Sequence, residues 1–273
     1  MKRAVLLAAG RGSRLAVAQA GVFLSPEQTA VAEAGLKALM PLGGFRLIDH
    51  ALATLAEIGV RRVLVVVGPH SGELAAHLAG LRPRRLAIET AVQPAPRGTA
   101  DALLAAEGFA AGRPFLMVNG DNLYPAAALA ELAGAAGWAH LVLDRGRVLA
   151  QGGSNLTSEK FASFARIERD ADGFMTAIVE KPPPEEYAAR VAGGETYLAG
   201  INAFRFEPEI FAACRAVRPS LRGELELPSA VTALVAAGAR FRLIVSAEPM
   251  LDLTERADVP FLVAKLRGRT VEI

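Results

Sequence analysis

Ala4 to Leu7 form an unbroken apolar run that ends at Gly10-Arg11-Gly12-Ser13-Arg14, a turn holding two glycines and two arginines. A stretch this short, apolar on both faces, reads as a buried parallel strand. Gly10 and Gly12 let the backbone turn sharply and approach a ligand closely, while Arg11 and Arg14 put positive charge beside the amide groups that the turn frees. A chain that opens this way is directed toward an α/β architecture with a place to hold phosphates where the first strand ends. Two familiar phosphate loops do not match: a dinucleotide fingerprint needs a third glycine where Leu15 stands, and a P-loop needs Gly-Lys-Ser/Thr.

The strand signal recurs. Arg62–Val67 is as apolar as the first strand, and Leu86–Val92 and Pro114–Val118 follow as further strands, separated by helices expected over Arg46–Ile58, Ser71–Leu78 and from Gly98-Thr99 onward. Strands alternating with helices across short loops imply right-handed crossovers and a parallel sheet. The fourth strand runs directly into Asn119-Gly120-Asp121. In open α/β sheets ligands bind outside the carboxyl ends of the strands, so this acid and the glycine turn are predicted to share one crevice.

The pattern changes after Leu143. Residues 144–164 read as a polar, glycine-bearing connection, and residues 16–35 as weakly helical with a break at Ser25-Pro26. Ala165–Arg169 and Phe174–Val179 flank Asp172-Gly173 as a β-hairpin. Pro182–Pro184 leaves the sheet. Thr196–Phe206 is a strand with Gly200 and Asn202 inside it, Pro208–Val217 and Ser229–Ala237 are helices, Phe241–Val245 is a last strand and Val259–Arg267 a last helix. The expected fold is α/β: a Rossmann-like, mostly parallel central sheet flanked by helices, with a small β-hairpin and helical elaboration in the second half. With 273 residues and no internal repeat or linker, one domain spanning 1–273 is expected, its first half (1–143) binding a nucleotide and its second (144–273) an acceptor.

Composition narrows the ligand. Thirty basic against 28 acidic residues leave a net charge of +2, which provides no polyanion-binding surface and argues for a small phosphorylated ligand instead of nucleic acid. The lone Cys214 excludes an intramolecular disulfide, and His50, His70, His77 and His140 lack the spacing of zinc ligands. These read as packing or surface residues. The apolar start breaks at Gly10 ahead of two arginines, so it does not read as a secretory signal, and no run approaches a membrane span. A cytoplasmic protein is expected.

Taken in order, the segments LAAGRGSRL, LKALMPLGG, QPAPRGTADAL, NGDN, EKP, RGELEL and MLDL resemble those of the sugar-1-phosphate nucleotidyltransferases, from Ala4 to about Leu266. Two departures stand out: a longer interval between Arg14 and Lys37, and Met250 where the family commonly has an aromatic residue. The resemblance implies a Mg²⁺-assisted in-line attack of a sugar 1-phosphate on the α-phosphate of a nucleoside triphosphate, giving a nucleotide-sugar and pyrophosphate. UTP or dTTP is the expected nucleotide. Cytidylyl or guanylyl transfer to another phosphate or phosphonate, and a catalytically silent nucleotide-sugar binding module, stand as alternatives. A nicotinamide oxidoreductase is disfavoured, because Gly68-Pro69-His70 follows the second strand where an acid is needed.

The implied catalytic residues are Arg14, Lys37, Asp121 and Lys181, with Asp121 and Asp252 holding the metal through hard oxygen ligands. Ala8, Ala9, Gly10, Arg11 and Gly12 would contact the nucleotide, and Gln93, Gly98 and Thr99 its base, the Gln93 amide offering both a donor and an acceptor. Asn119, Gly120, Glu180, Lys181, Gly200 and Asn202 would line the acceptor site. Glu224 and Glu226 read equally well as ligand contacts or as a helix-start pair. Homo-oligomerisation is common in the family.

Overall fold

The computed structural model describes residues 1–220 and 222–273. Nine strands form the main sheet: β1 (Arg3–Ala8), β2 (Arg62–Val67), β3 (Ala87–Val92), β4 (Phe115–Asn119), β5 (Ala139–Asp144), β6 (Ala165–Arg169), β7 (Met175–Val179), β8 (Leu198–Phe206) and β9 (Arg242–Ser246). Strand β1 lies between β2 and β4 and runs parallel to both, and β3 continues the parallel set beyond β2. Alternate β1 residues enter different cores, Ala4 and Leu6 on one face of the sheet and Val5 and Leu7 on the other. That is why the strand is apolar throughout: helices cover both faces, so neither set of side chains meets water.

Strand β8 joins the two halves of the chain. It runs antiparallel to its partners, and Phe204 pairs with Met117 of β4 on one edge and with His140 of β5 on the other. Its first residues, Leu198–Gly200, pair with β6 on the same edge as β4, which hangs the β6–β7 hairpin off the sheet. Strand β9 lies parallel to β5. The expected mostly parallel sheet with an appended hairpin is therefore the fold observed.

Several elements exceed the sequence reading. Strand β5 is buried along nearly its whole length and had no element assigned to it. The connection 144–164 contains two short helices, Arg145–Gln151 and Ser158–Ser163, whose first turns are capped by Asp144 and Thr157. The Ser25-Pro26 break is the start of a helix, Pro26–Glu33, where Ser25 and Gln28 exchange side chain to backbone hydrogen bonds and Pro26 stands where no amide donor is needed.

Cys214, His50, His77 and His140 settle as packing and pairing groups, and His70 is exposed at the surface. Cys214 is buried, which pushes its thiol up to about 12. His140 stacks on Phe204 with ring centroids 3.9 Å apart, His50 bonds the Leu42 carbonyl at 2.9 Å, and His77 meets Asp49 at 2.7 Å. Among the described residues no helix is long and apolar enough to cross a membrane.

Candidate active site

The carboxyl ends of β1 and β4 converge as the sequence predicts. Leu7 and Asn119 are register partners, and the Gly120 N–H donates to the Leu7 carbonyl at 2.8 Å. A Cβ at position 120 would come within 2.6 Å of the Leu6 side chain, so a glycine lets the Asn119–Asp121 turn lie against β1. Over this junction opens a cleft of about 580 Å³, a size typical of small-molecule sites. Ala8, Ala9, Gly10 and Arg11 line it from the first loop, Lys37 from the side, Gln93, Gly98 and Thr99 from the loop after β3, and Asn119, Gly120 and Asp121 from the floor.

At the floor the Lys37 ammonium lies 3.1 Å from Asp121 Oδ2. A backbone contact sets that position. Gly12 and Gly35 both adopt positive φ, +58° and +68°, and a Cβ on Gly12 would sit 2.3 Å from the Gly35 carbonyl oxygen. Gly12 therefore docks the first loop on the end of the 16–35 segment, and Lys37, whose N–H donates to that same Gly35 carbonyl, is carried to the cleft with it. Gly12 itself is not among the lining residues, whereas Gly10, where a Cβ would meet nothing within 4 Å, leaves the cleft open. Of the two loop arginines Arg11 lines the cleft; Arg14 is exposed, outside the lining, and no hydrogen bond or ion pair restrains it among the described residues.

At the opposite end Gly98, at φ +118°, packs its Cα against Leu225, and the two loops exchange hydrogen bonds: Leu225 N–H to the Arg97 carbonyl at 2.6 Å and Ala100 N–H to the Leu225 carbonyl at 2.9 Å. The Thr99 hydroxyl accepts from Leu227 N–H at 2.9 Å. This clamp brings Arg222 and Glu224 onto the cleft wall. Glu226 precedes the helix Leu227–Ala236 and pairs with Arg222 at 2.8 Å. The two glutamates thus divide between the two readings of RGELEL.

The residues expected to line an acceptor site lie beside this wall. Glu180, Lys181, Gly200 and Asn202 are not lining residues of the cleft, but the charges of Glu226, Lys181 and Arg222 all act on the Glu180 carboxyl, so the Glu180-Lys181 pair neighbours a side chain that does line it. Crowding around the Glu180 carboxyl, reinforced by Glu226, raises its pKa. Lys181 and Asn202 are two of the three non-glycine residues with positive φ among the described residues, at 47° and 49°. L-residues hold that conformation only where the surroundings impose it, and such strain gathers at ligand sites. At Asn202 the cause is visible: the β8–β5 register shifts between Gly200 and Ala203, and the buried Tyr124 hydroxyl donates to the Ile201 carbonyl at 2.9 Å while accepting from Asn119 N–H at 3.2 Å. Tyr124, absent from the sequence-derived set, ties the kinked strand to the cleft floor.

Asp252 meets Asp121 through the backbone. Leu251–Asp252 pairs antiparallel with Asn122–Leu123, Asp252 opposite Asn122, and the Leu253 N–H donates to the Asp121 carbonyl at 3.1 Å. Their carboxylates have different surroundings. One Asp121 oxygen has no partner among the described residues, and the side chain borders the cleft. Asp252 is buried outside the lining, its oxygens taken by Asn122 at 2.8 Å, Thr254 at 2.6 Å and Lys160 at 3.2 Å. Lys160 also reaches Asp258 at 2.5 Å, and Asp258 accepts from the amides of Thr254 and Glu255 at the start of the last helix. Lys160, which comes from the short helix Ser158–Ser163, carries no signal in the sequence. The donor set therefore fits a hard cation at Asp121, whereas Asp252 becomes available to one only when Lys160 withdraws. No group of three or more His, Cys, Asp or Glu suited to a metal occurs among the described residues, so most ligands of such a cation must come from a bound molecule and water.

The fold and these loops have relatives. A family profile described as nucleotidyl transferase matches residues 3–247. The chain belongs to the nucleotidyl transferase family. Among its relatives, a glucose-1-phosphate thymidylyltransferase of Actinoplanes sp. is 32% identical over 241 residues, covering 87% of this chain and 68% of the other. A UTP–glucose-1-phosphate uridylyltransferase, AglF, of Haloferax volcanii is 27% identical over 242 residues, covering 86% and 84%. Among solved structures, a Bacillus anthracis protein described as a glucose-1-phosphate thymidylyltransferase superposes with a TM-score of 0.73 at 19% identity, covering 99% of this chain and 97% of that one. The inositol-1-phosphate CTP transferase of T. maritima superposes at 0.71 with 15% identity, covering 99% and 98%. The nucleotidyl transferase fold thus accompanies different nucleotides in its named members.

Proposed function

We propose that this nucleotidyl transferase joins UTP or dTTP to a sugar 1-phosphate, releasing pyrophosphate and a nucleotide-sugar. The observation that carries the reading is the Lys37–Asp121 pair on the cleft floor, between the glycine loop with Arg11 at one side and the Gln93–Thr99 loop at the other. Transfer brings two polyanions together, so the site needs fixed positive charge more than it needs a nucleophile. The backbone amides after β1 and the Arg11 guanidinium face the triphosphate, and the Lys37 ammonium neutralises charge near the α-phosphorus. Arg14, unrestrained on the same turn, adds to the charge on the departing pyrophosphate.

Lys181 grips the acceptor phosphate, which is already ionised at neutral pH and attacks without a general base. Glu180 accepts hydrogen bonds from sugar hydroxyls, and the kink at Gly200–Asn202 shapes the pocket for the ring. Asp121, joined by Asp252 on its release from Lys160, would hold Mg²⁺, which when bound neutralises phosphate oxygens and the charge that builds on the leaving group. The activities for which the thymidylyl and uridylyl relatives are named support this assignment.

The test is an incubation with UTP or dTTP and a panel of sugar 1-phosphates, following pyrophosphate and nucleotide-sugar together. The expected result is stoichiometric formation of both in the presence of Mg²⁺. Silence across the panel, with nucleotide-sugar still bound, would establish a binding module instead.

A further inference from the structure

The base end of the cleft carries more information than its shape. Gln93 is buried, and its amide nitrogen, which has two hydrogens to give, spends one on the Gly98 carbonyl at 3.1 Å and the other on Asp101 Oδ2 at 2.9 Å. Asp101 is itself buried, and its second oxygen takes the Arg97 guanidinium at 2.6 Å. Reversing the Gln93 amide would set its oxygen against a carbonyl and a carboxylate, neither of which has a hydrogen to offer. The orientation is therefore fixed by chemistry: both donors face the protein and only Oε1 is left for a ligand.

We infer that Asp101 is a positioning residue that selects the nucleotide base by holding Gln93 with its acceptor outward. The inference rests on the nucleotidyl-transfer reading above and deepens it. A lone acceptor matches the N3–H of uracil or thymine. Cytosine, the same size, presents a lone pair at N3, so two acceptors would meet without a proton and both would lose their water. This revises the expectation that Gln93 offers the base both a donor and an acceptor.

UTP and CTP, compared on the same protein with the same sugar 1-phosphate, test this directly. The expected preference of the unaltered chain for UTP in kcat/KM is at least about a hundredfold, the scale at which a site built for one hydrogen bond rejects its mismatch. In Asp101→Asn, Arg97 keeps hold of the side-chain oxygen and turns the new amide NH₂ toward Gln93, so that only the Gly98 carbonyl still favours the outward acceptor; the preference should fall at least about tenfold. Because the ratio is taken within one preparation, loss of folded protein does not imitate the effect. Binding of UMP and CMP to the unaltered chain by calorimetry needs no variant and is expected to favour UMP at least about tenfold. Equal binding of the two, or an unchanged ratio in Asp101→Asn with turnover intact, overturns the inference alone. Absence of turnover with every nucleotide and acceptor would instead sink the functional reading on which it stands.

Discussion

Among the described residues the Asp121 carboxylate has a single partner, Lys37, and the side chain borders the cleft. Its replacement removes charge where the reaction needs it and leaves the packing untouched. Asp121→Asn should lower kcat at least about a thousandfold, the scale of losing a principal electrostatic contact, with the thermal midpoint unmoved. A magnesium-dependent variant with near-normal turnover would contradict the assignment. Gly12 gives the opposite kind of prediction. With φ +58° and the Gly35 carbonyl where a Cβ would go, Gly12→Ala should cost about 2–3 kcal/mol in urea unfolding, and activity should fall because Lys37 moves with Gly35. The sequence named Gly12 as a site residue. Motif spacing does not distinguish a glycine that touches a ligand from one that lets two loops touch, since both require the same missing side chain.

Among the elements, the connection 144–164 carries the least legible contribution. The short helix Ser158–Ser163 delivers Lys160 to a pair of buried carboxylates about a hundred residues further along, and no local periodicity encodes such a contact. Lys160→Met should destabilise the chain by about 3–5 kcal/mol, because Asp252 and Asp258 would face each other buried and uncompensated. Denaturant unfolding reads this, and a loss under 1 kcal/mol would show that the pair tolerates its own charge. The kink in β8 behaves differently. Asn202→Gly relieves the positive φ and should gain about 1 kcal/mol while raising KM for the acceptor. Stability gained with KM unchanged would place the acceptor elsewhere. Gly200 and Asn202 were visible in the sequence as interruptions in a strand; that Tyr124 pins the kink to the cleft floor was not, because the hydroxyl crosses between distant segments.

For the molecule as a whole, the parallel core was legible because β1, β2 and β4 are apolar on both faces, a pattern few other arrangements produce. Strand β5 escaped because Ala139–Asp144 mixes His140 into its apolar run, and only the stacking of that ring on Phe204 shows it to be core. That histidine links the core to pH. Burial lowers its pKa from 6.5 to about 3, so the unfolded chain binds a proton that the folded chain refuses between those values. The stability contributed is fully present above about pH 6.5 and falls by up to about 1.4 kcal/mol per unit as pH drops toward 3. His140→Phe should flatten that part of the stability curve, and an unchanged slope would assign acid sensitivity to other groups.

If one cleft brings a nucleotide and a phosphorylated sugar together, a crystal structure with UDP-glucose or dTDP-glucose will show both in it. The base is expected against Gln93 Oε1 and Gly98, the diphosphate between Lys37 and Lys181, and the sugar at the Glu180 and Asn202 kink. A nucleotide-sugar bound away from Asp121, or with its sugar at the glycine loop and its base at the kink, would contradict it.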